Sequence, residues 1–155
     1  MKFANLRVLK SREIKKLKKT LSKQYSFEFT QGYIFMITKK NKVYILNNDA
    51  KVLDINILRI DHAGMYLGEL REDGMRLSID GSQLVGTTAK KQILNVTDEQ
   101  AKNWLAGENL ELENPEVTDG YVILKNNQDF IGCGKLSRNI LYNFVPKARR
   151  VKVIS

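Results

Sequence analysis

The stretch GYVILKNNQDFIGCGKLSRNILYNFVPKARRVKV, residues 120–153, decides how this chain is read. Short apolar runs alternate with turns rich in Asn, Asp and Gly, which is the pattern of tightly joined strands. From Phe130 to Ser155 there is no acid, and Lys135, Arg138, Lys147, Arg149, Arg150 and Lys152 carry positive charge. A β-rich segment with one sign of charge and two aromatics, Tyr142 and Phe144, suits an anionic partner. Pro146 suits the start of a last strand, on which Arg150 and Lys152 share a face and Arg149 points the other way. Tyr142 and Phe144 share a face opposite Leu141, Asn143 and Val145. Two aromatics at that spacing read more readily as core than as an open surface for base stacking.

Just upstream, residues 98–119 hold seven of the eight acids found after residue 88. This small region is therefore dipolar, with its basic pole at the C-terminal end. Before the acids, QILNV (92–96) reads as a strand and T-D-E-Q from Thr97 as a capping box, with Asp98 and Glu99 favoured in the first helical turn. Ala101, Trp104 and Leu105 form the buried face of that helix, and Gly107 ends it.

The pattern breaks at Gly86-Thr87-Thr88, the best boundary in the chain. It divides residues 1–88 from residues 89–155. Residues 11–23 predict a helix capped by Ser11, with Ile14, Leu17 and Leu21 on one face and Lys15, Lys16, Lys18 and Lys19 on the others. Its basic side reads as a solvated surface, with an RNA or membrane contact as the alternative. Tyr25, Phe27 and Phe29 alternate as in a strand. YIFMIT (33–38) and KVYILN (42–47) form a hairpin, and GMYLGELRE (64–72) pairs with MRLSID (75–80) across Asp73-Gly74. Residues 49–57 suggest a helix capped by Asp49, with a last piece of strand as the alternative, and residues 81–89 a short helix followed by a linker.

The whole chain is long enough to bury a core, but either half alone would be marginal. A net charge of +9 and an isoelectric point near 9.6 favour RNA, DNA or an anionic membrane as partner. One cysteine, Cys133, excludes an internal disulfide and suits a reducing compartment. The opening MKFANLRVLK lacks a signal-peptide apolar run, so a cytoplasmic, non-membrane protein is expected.

Catalytic patterns are missing. His62, the only histidine, stands beside Asp61 with no nucleophile motif near it. One Cys and one His cannot build a structural zinc site. Around Gly132-Cys133-Gly134, Ser137 breaks a dinucleotide fingerprint, while Asp129 and Leu136 break a phosphate-binding loop. No cofactor, metal or small-molecule substrate is expected, nor is enzymatic activity.

QILNVTDEQAKNWLAGENLEL (92–112) resembles the opening of a PUA domain, and GYVILKNNQDFIGCGKLS (120–137) its central hairpin with a G-x-G strand. The segment MRLSIDGSQLVGTTAKKQI (75–93) is similar to the junction in archaeal-type members of the Nip-seven family of ribosome biogenesis factors. The resemblance implies an α+β chain, with a pre-PUA α/β domain (1–88) followed by a small PUA pseudo-β-barrel (89–155). It also implies a non-enzymatic RNA-binding protein of large-subunit assembly, with rRNA and assembly factors as partners and tRNA as a further candidate. Lys147, Arg149, Arg150 and Lys152 would map onto the RNA contact region. Two alternatives stay open: an RNA-specificity subunit for a separate modifying enzyme, and a PUA-type translation factor.

Overall fold

The computed structural model describes residues 6–47 and 64–151. His62, Lys152 and the expected 49–57 helix lie outside them. The architecture is α+β, as the resemblance implied, with two five-stranded sheets and three helices among the described residues. The first sheet is antiparallel, in the order β1 (Arg7–Val8), β2 (Tyr33–Ile37), β3 (Lys42–Asn47), β4 (Gly64–Arg71) and β5 (Gly74–Leu77). Both expected hairpins form. Asn41 takes a φ of 64° in the turn before β3, and Gly74 a φ of 133° after Asp73.

Helix α1 (Ser11–Tyr25) lies on one face of this sheet. Leu17, Leu21 and Tyr25 recur every four residues and are all buried against Phe35, Val43 and Ile45. Two sequence expectations change here. Ser11 is the first helical residue rather than the cap, and the Glu13 carboxylate accepts the Lys10 N–H at 3.0 Å. Tyr25 also belongs to the helix and not to a strand, because Ser26 closes α1 in the left-handed region at φ 52°. Phe27 is still buried, as part of an irregular run after the helix.

Ser78 caps helix α2 (Ile79–Gly86) by accepting the Gly81 N–H at 2.8 Å. The second sheet follows, with strands β6 (Ile93–Asn95), β7 (Leu110–Glu111), β8 (Gly120–Asn126), β9 (Asp129–Ser137) and β10 (Ile140–Tyr142). Its spatial order is β6-β8-β9-β10-β7, and only β6–β8 is parallel. Helix α3 (Asp98–Leu105) begins with the expected capping box: Thr97 Oγ1 accepts the Gln100 N–H at 3.1 Å, and Gln100 Oε1 accepts the Thr97 N–H at 2.9 Å. Trp104 is fully buried, whereas Leu105 is only half-buried. Most of the acidic segment is loop, with only Leu110–Glu111 in a strand.

The two sheets share a core. Tyr121, Ile123 and Cys133 from β8 and β9 pack in the same cluster as Leu21, Tyr25, Leu67 and Met75. Tyr25 donates its hydroxyl hydrogen bond to the Met75 carbonyl at 3.0 Å and lies 3.7 Å from Cys133 Sγ. Phe130 of β9 presses on Gly86 of α2, where a Cβ would stand 2.4 Å from its ring. A second cluster, around Trp104, Val122, Leu124, Leu136 and Leu141, fills the other side of the β8–β9 hairpin.

Candidate nucleic-acid interface

Among the described residues, which end at Val151, the basic C-terminal segment does not continue as a strand. After β10 the chain makes a single 3-10 turn, Lys147–Arg149, with Pro146 at its start. The Arg149 N–H bonds the Pro146 carbonyl at 2.8 Å, and the Val151 N–H reaches back to Leu105 at 2.8 Å. The expected strand alternation of Arg149 against Arg150 is therefore replaced. Pro146 cannot donate a ladder bond, and no neighbouring strand edge is pledged to the segment. Lys147, Arg149 and Arg150 all remain exposed. Arg150 lies across Gly107 at the end of α3, where a Cβ would stand 2.5 Å from its Nε, and that Nε bonds the Val145 carbonyl at 3.1 Å. Gly107 itself has φ 98°, so a side chain there would be both strained and obstructed.

Of the six predicted site residues, the five described ones do not gather in one place. Arg138 sits at φ 50° in the β9–β10 turn, away from the other cations along β9. Lys135 is engaged: its Nζ lies 2.5 Å from Asp73, and it stands over the Tyr121 ring at 5.7 Å. Lys147, Arg149 and Arg150 are neighbours on the turn, and Arg149 has only a loose partner in Asp80 at 3.8 Å. With both side chains half exposed, such a pair is worth about 0–1 kcal/mol and yields readily to a phosphate. Lys152 lies outside the described residues.

The aromatic pair departs from expectation in the other direction. Tyr142 is 43% exposed and Phe144 37%, while Leu141 and Val145 on the opposite face are buried. The period-2 reading of the faces holds, but the aromatic face is the open one, because the Trp104 cluster already fills the other. Trp104 lies against the G-x-G strand: a Cβ on Gly134 would stand 2.5 Å from its ring.

The open face belongs to a seam between the sheets. Register aligns Tyr121, Lys135 and Tyr142 in one row across β8, β9 and β10. Asp73, from the β4–β5 turn, closes on this row and accepts the Tyr121 hydroxyl at 2.8 Å. The Lys135 hydrogen bond, aided by Tyr121, holds the Asp73 carboxyl below the usual carboxylate range. Burial, followed by the hydrogen bond to Asp73 and then the charge of that carboxylate, pushes the Tyr121 hydroxyl well up. Farther along, the Arg76 guanidinium stacks over the Phe144 ring at 4.3 Å and is gripped by Glu69 at 2.5 Å.

Glu69, Arg76 and Phe144 form a ridge with a cleft on either side. One, of about 490 Å³, runs past Asp73, Tyr121 and Lys135. The other, of about 260 Å³, lies between Tyr66 and Phe144 and ends at Pro146 and Arg149. Sequence reasoning missed Lys42, Tyr66, Asp73 and Arg76. Their outward alternation on β3–β5 was visible, but nothing local says that the second sheet docks beside them.

Residues 6–79 match the family model of the NIP7/UPF0113 pre-PUA domain, and residues 91–151 that of the methyltransferase RsmF PUA domain. No curated protein matches the chain in sequence. Among solved structures, a conserved PUA domain protein from Thermoplasma acidophilum superposes with a TM-score of 0.54 at 13% identity, over 84% of this chain and 78% of that one. This likeness is one of fold. The chain is thus a NIP7-like pre-PUA domain followed by a PUA-type domain, joined through one continuous core.

Proposed function

We propose that the protein is a non-catalytic RNA-binding factor of ribosome assembly, acting on rRNA in the cytoplasm together with assembly-factor partners. Lys147, Arg149 and Arg150 contact phosphates on the PUA side. The observation that carries this reading is that Arg149 of the exposed basic turn lines one cleft with the exposed ring of Phe144, while Lys147, Arg150 and Tyr142 are also exposed. Cations supply a phosphate track and flat rings accept unstacked bases, which are the two requirements of single-stranded RNA recognition. The pre-PUA and PUA order supports the ribosomal setting. Lys135 contributes to the seam through Asp73 rather than to the track.

The test is RNA affinity against salt for the wild type and for the Lys147→Ala, Arg149→Ala, Arg150→Ala triple variant. Three neutralised phosphates give a slope of log affinity on log salt of about −2 for single strands, and the triple variant loses that part. An unchanged slope and affinity in the triple variant would remove the proposed track. Sedimentation with large-subunit particles, released by nuclease, tests the ribosomal part.

A second reading is favoured by one observation: the PUA half matches a domain model taken from a methyltransferase. The protein would then be an RNA-specificity subunit for a separately encoded modifying enzyme. Stable co-purification with such an enzyme in place of ribosomal particles would select this reading.

A further inference from the structure

We propose that the smaller cleft, between Tyr66 of β4 and Phe144 beyond β10, receives one unpaired base of a bound RNA strand. The inference rests on the RNA-binding reading and deepens it, by placing the base that Phe144 meets in this cleft. Its walls come from both sheets, with Lys42, Tyr66 and Arg76 on one side and Gly132, Phe144 and Arg149 on the other. A volume of about 260 Å³ admits a single base with part of its sugar and excludes a duplex.

The flat groups are braced before any ligand arrives. Phe144 rests under Arg76 at 4.3 Å, and Arg76 is held by Glu69. The Tyr66 ring is backed by Tyr44, with centroids 5.2 Å apart and planes inclined by 34°. Lys42 stands 5.9 Å from the Tyr66 ring centroid. Aromatic groups already fixed in place lose little entropy when a base stacks on them.

The charge suits a nucleotide. Arg76 and Glu69 neutralise one another, which leaves Lys42, together with Arg149 and its loose contact to Asp80 at 3.8 Å, as the positive charge at the cleft. Burial, the main cause, raises the Tyr66 hydroxyl pKa, so at neutral pH this group stays a hydrogen-bond donor. Ser78 is already spent, since its hydroxyl bonds the Tyr66 carbonyl at 2.5 Å and accepts from Gly81. With so few free polar groups, recognition of the base is dominated by stacking and tolerates any of the four.

Two further observations converge on the same place. Gly132 and Ile79 line the cleft, and just behind them the buried Trp104 Nε1 has no hydrogen-bond partner among the described residues; it would stand 3.2 Å from a Gly132 Cβ. The cleft also ends at Pro146 and Arg149, where the phosphate track begins. A strand crossing the 3-10 turn thus delivers its next nucleotide to the opening.

The experiment measures the affinity of a labelled ten-nucleotide single-stranded RNA and of a blunt RNA duplex, across a salt series, for the intact protein. Phe144→Ala is expected to weaken single-strand binding about ten- to a hundredfold, the range for losing one stacked base, with an unchanged salt slope because no cation is removed. Phe144→Trp restores binding, Tyr66→Leu weakens it in the same direction, and duplex affinity stays at the wild-type value throughout. Wild-type single-strand affinity in Phe144→Ala, or an equal loss on strand and duplex, would overturn the inference and leave the phosphate track standing. A wild-type protein that binds neither RNA would overturn the RNA reading itself. Saturable binding of free mononucleotides as tight as that of the oligonucleotide would overturn the strand-borne base as the ligand.

Discussion

Replacing Gly134 by Ala tests whether the Trp104–β9 contact sets the position of the aromatic face. An ideal Cβ at this site stands 2.5 Å from Trp104 Cη2, 2.8 Å from the Tyr142 carbonyl oxygen and 3.0 Å from Leu141 Cγ. Favourable carbon contacts begin near 3.5 Å, so the indole must retreat by about 1 Å. It has nowhere to go, because Trp104, Leu124 and Leu141 are all 0% exposed. Overpacking of this kind costs about 1–3 kcal/mol. The upper part of that range applies, since one obstruction is the backbone of β10 and not a side chain that can rotate. At about 2–4 °C per kcal/mol for a chain of this size, a cost of about 2.5 kcal/mol lowers Tm by about 5–10 °C. Urea unfolding followed by the emission of Trp104, the only tryptophan, reads the change directly. Because the Tyr142 carbonyl is one of the groups displaced, single-strand RNA affinity should fall as well. In the double variant with Trp104→Phe, followed by circular dichroism, the smaller ring should recover about 1 kcal/mol relative to additivity. A Gly134→Ala protein within about 0.5 kcal/mol of wild type would refute the reasoning, as that is the level of an unconstrained substitution.

Three further outcomes are expected. The folded Asp73 carboxyl lies below its ordinary value, so its stabilisation is complete above about pH 4 and is lost as pH falls through the folded value. The Tm difference between wild type and Asp73→Asn should accordingly be constant from pH 5 to 7 and close on acidification; at 44% exposure it is expected not to exceed about 1 kcal/mol. Thr97→Ala should cost about 0.5–2 kcal/mol in urea unfolding through loss of the α3 cap, with Thr97→Ser restoring most of it. Neutralising Lys15, Lys19 and Lys23 to Gln should change RNA affinity by less than about threefold, because α1 covers the face of the first sheet opposite Tyr44 and Tyr66 and screening confines its field to roughly 8–10 Å. A loss as large as that of the C-terminal triple variant would move the phosphate track to α1.

Local chemistry was legible in the sequence wherever a feature spans a few residues. The Thr97–Gln100 box, the Asp73-Gly74 hairpin and the buried face of α1 each need only neighbours, and each forms. Tyr25 was misread because it satisfies two periods at once. It alternates with Phe27 and Phe29, yet also completes the four-residue spacing of Leu17 and Leu21, and the helix wins through the core contacts that Tyr25 makes. The 3-10 turn at Lys147–Arg149 was hidden because strand character after Pro146 needs a partner edge, which a single sequence does not reveal. The seam was hidden for a stronger reason. Asp73 meets Lys135 across 62 residues, and Tyr25 meets Cys133 across 108. Charge counting alone therefore read Lys135 as a free cation, whereas the fold sets its Nζ beside the Asp73 carboxylate. It also missed Arg76, whose partner Phe144 lies in the other half.

The placement of Cys133 has a practical consequence. The thiol is enclosed at the junction of the two sheets, beside Tyr25, and burial pushes it up to about 11. In the native protein it is therefore protonated and almost wholly covered, with only an edge of the residue on the smaller cleft, so labelling is slow until the halves part. Since this is the sole cysteine, the rate of thiol modification is a built-in clock for that separation, requiring no engineered probe. An RNA that touches both sheets at once should slow the clock, whereas one held by the C-terminal turn alone should leave it running at its own pace.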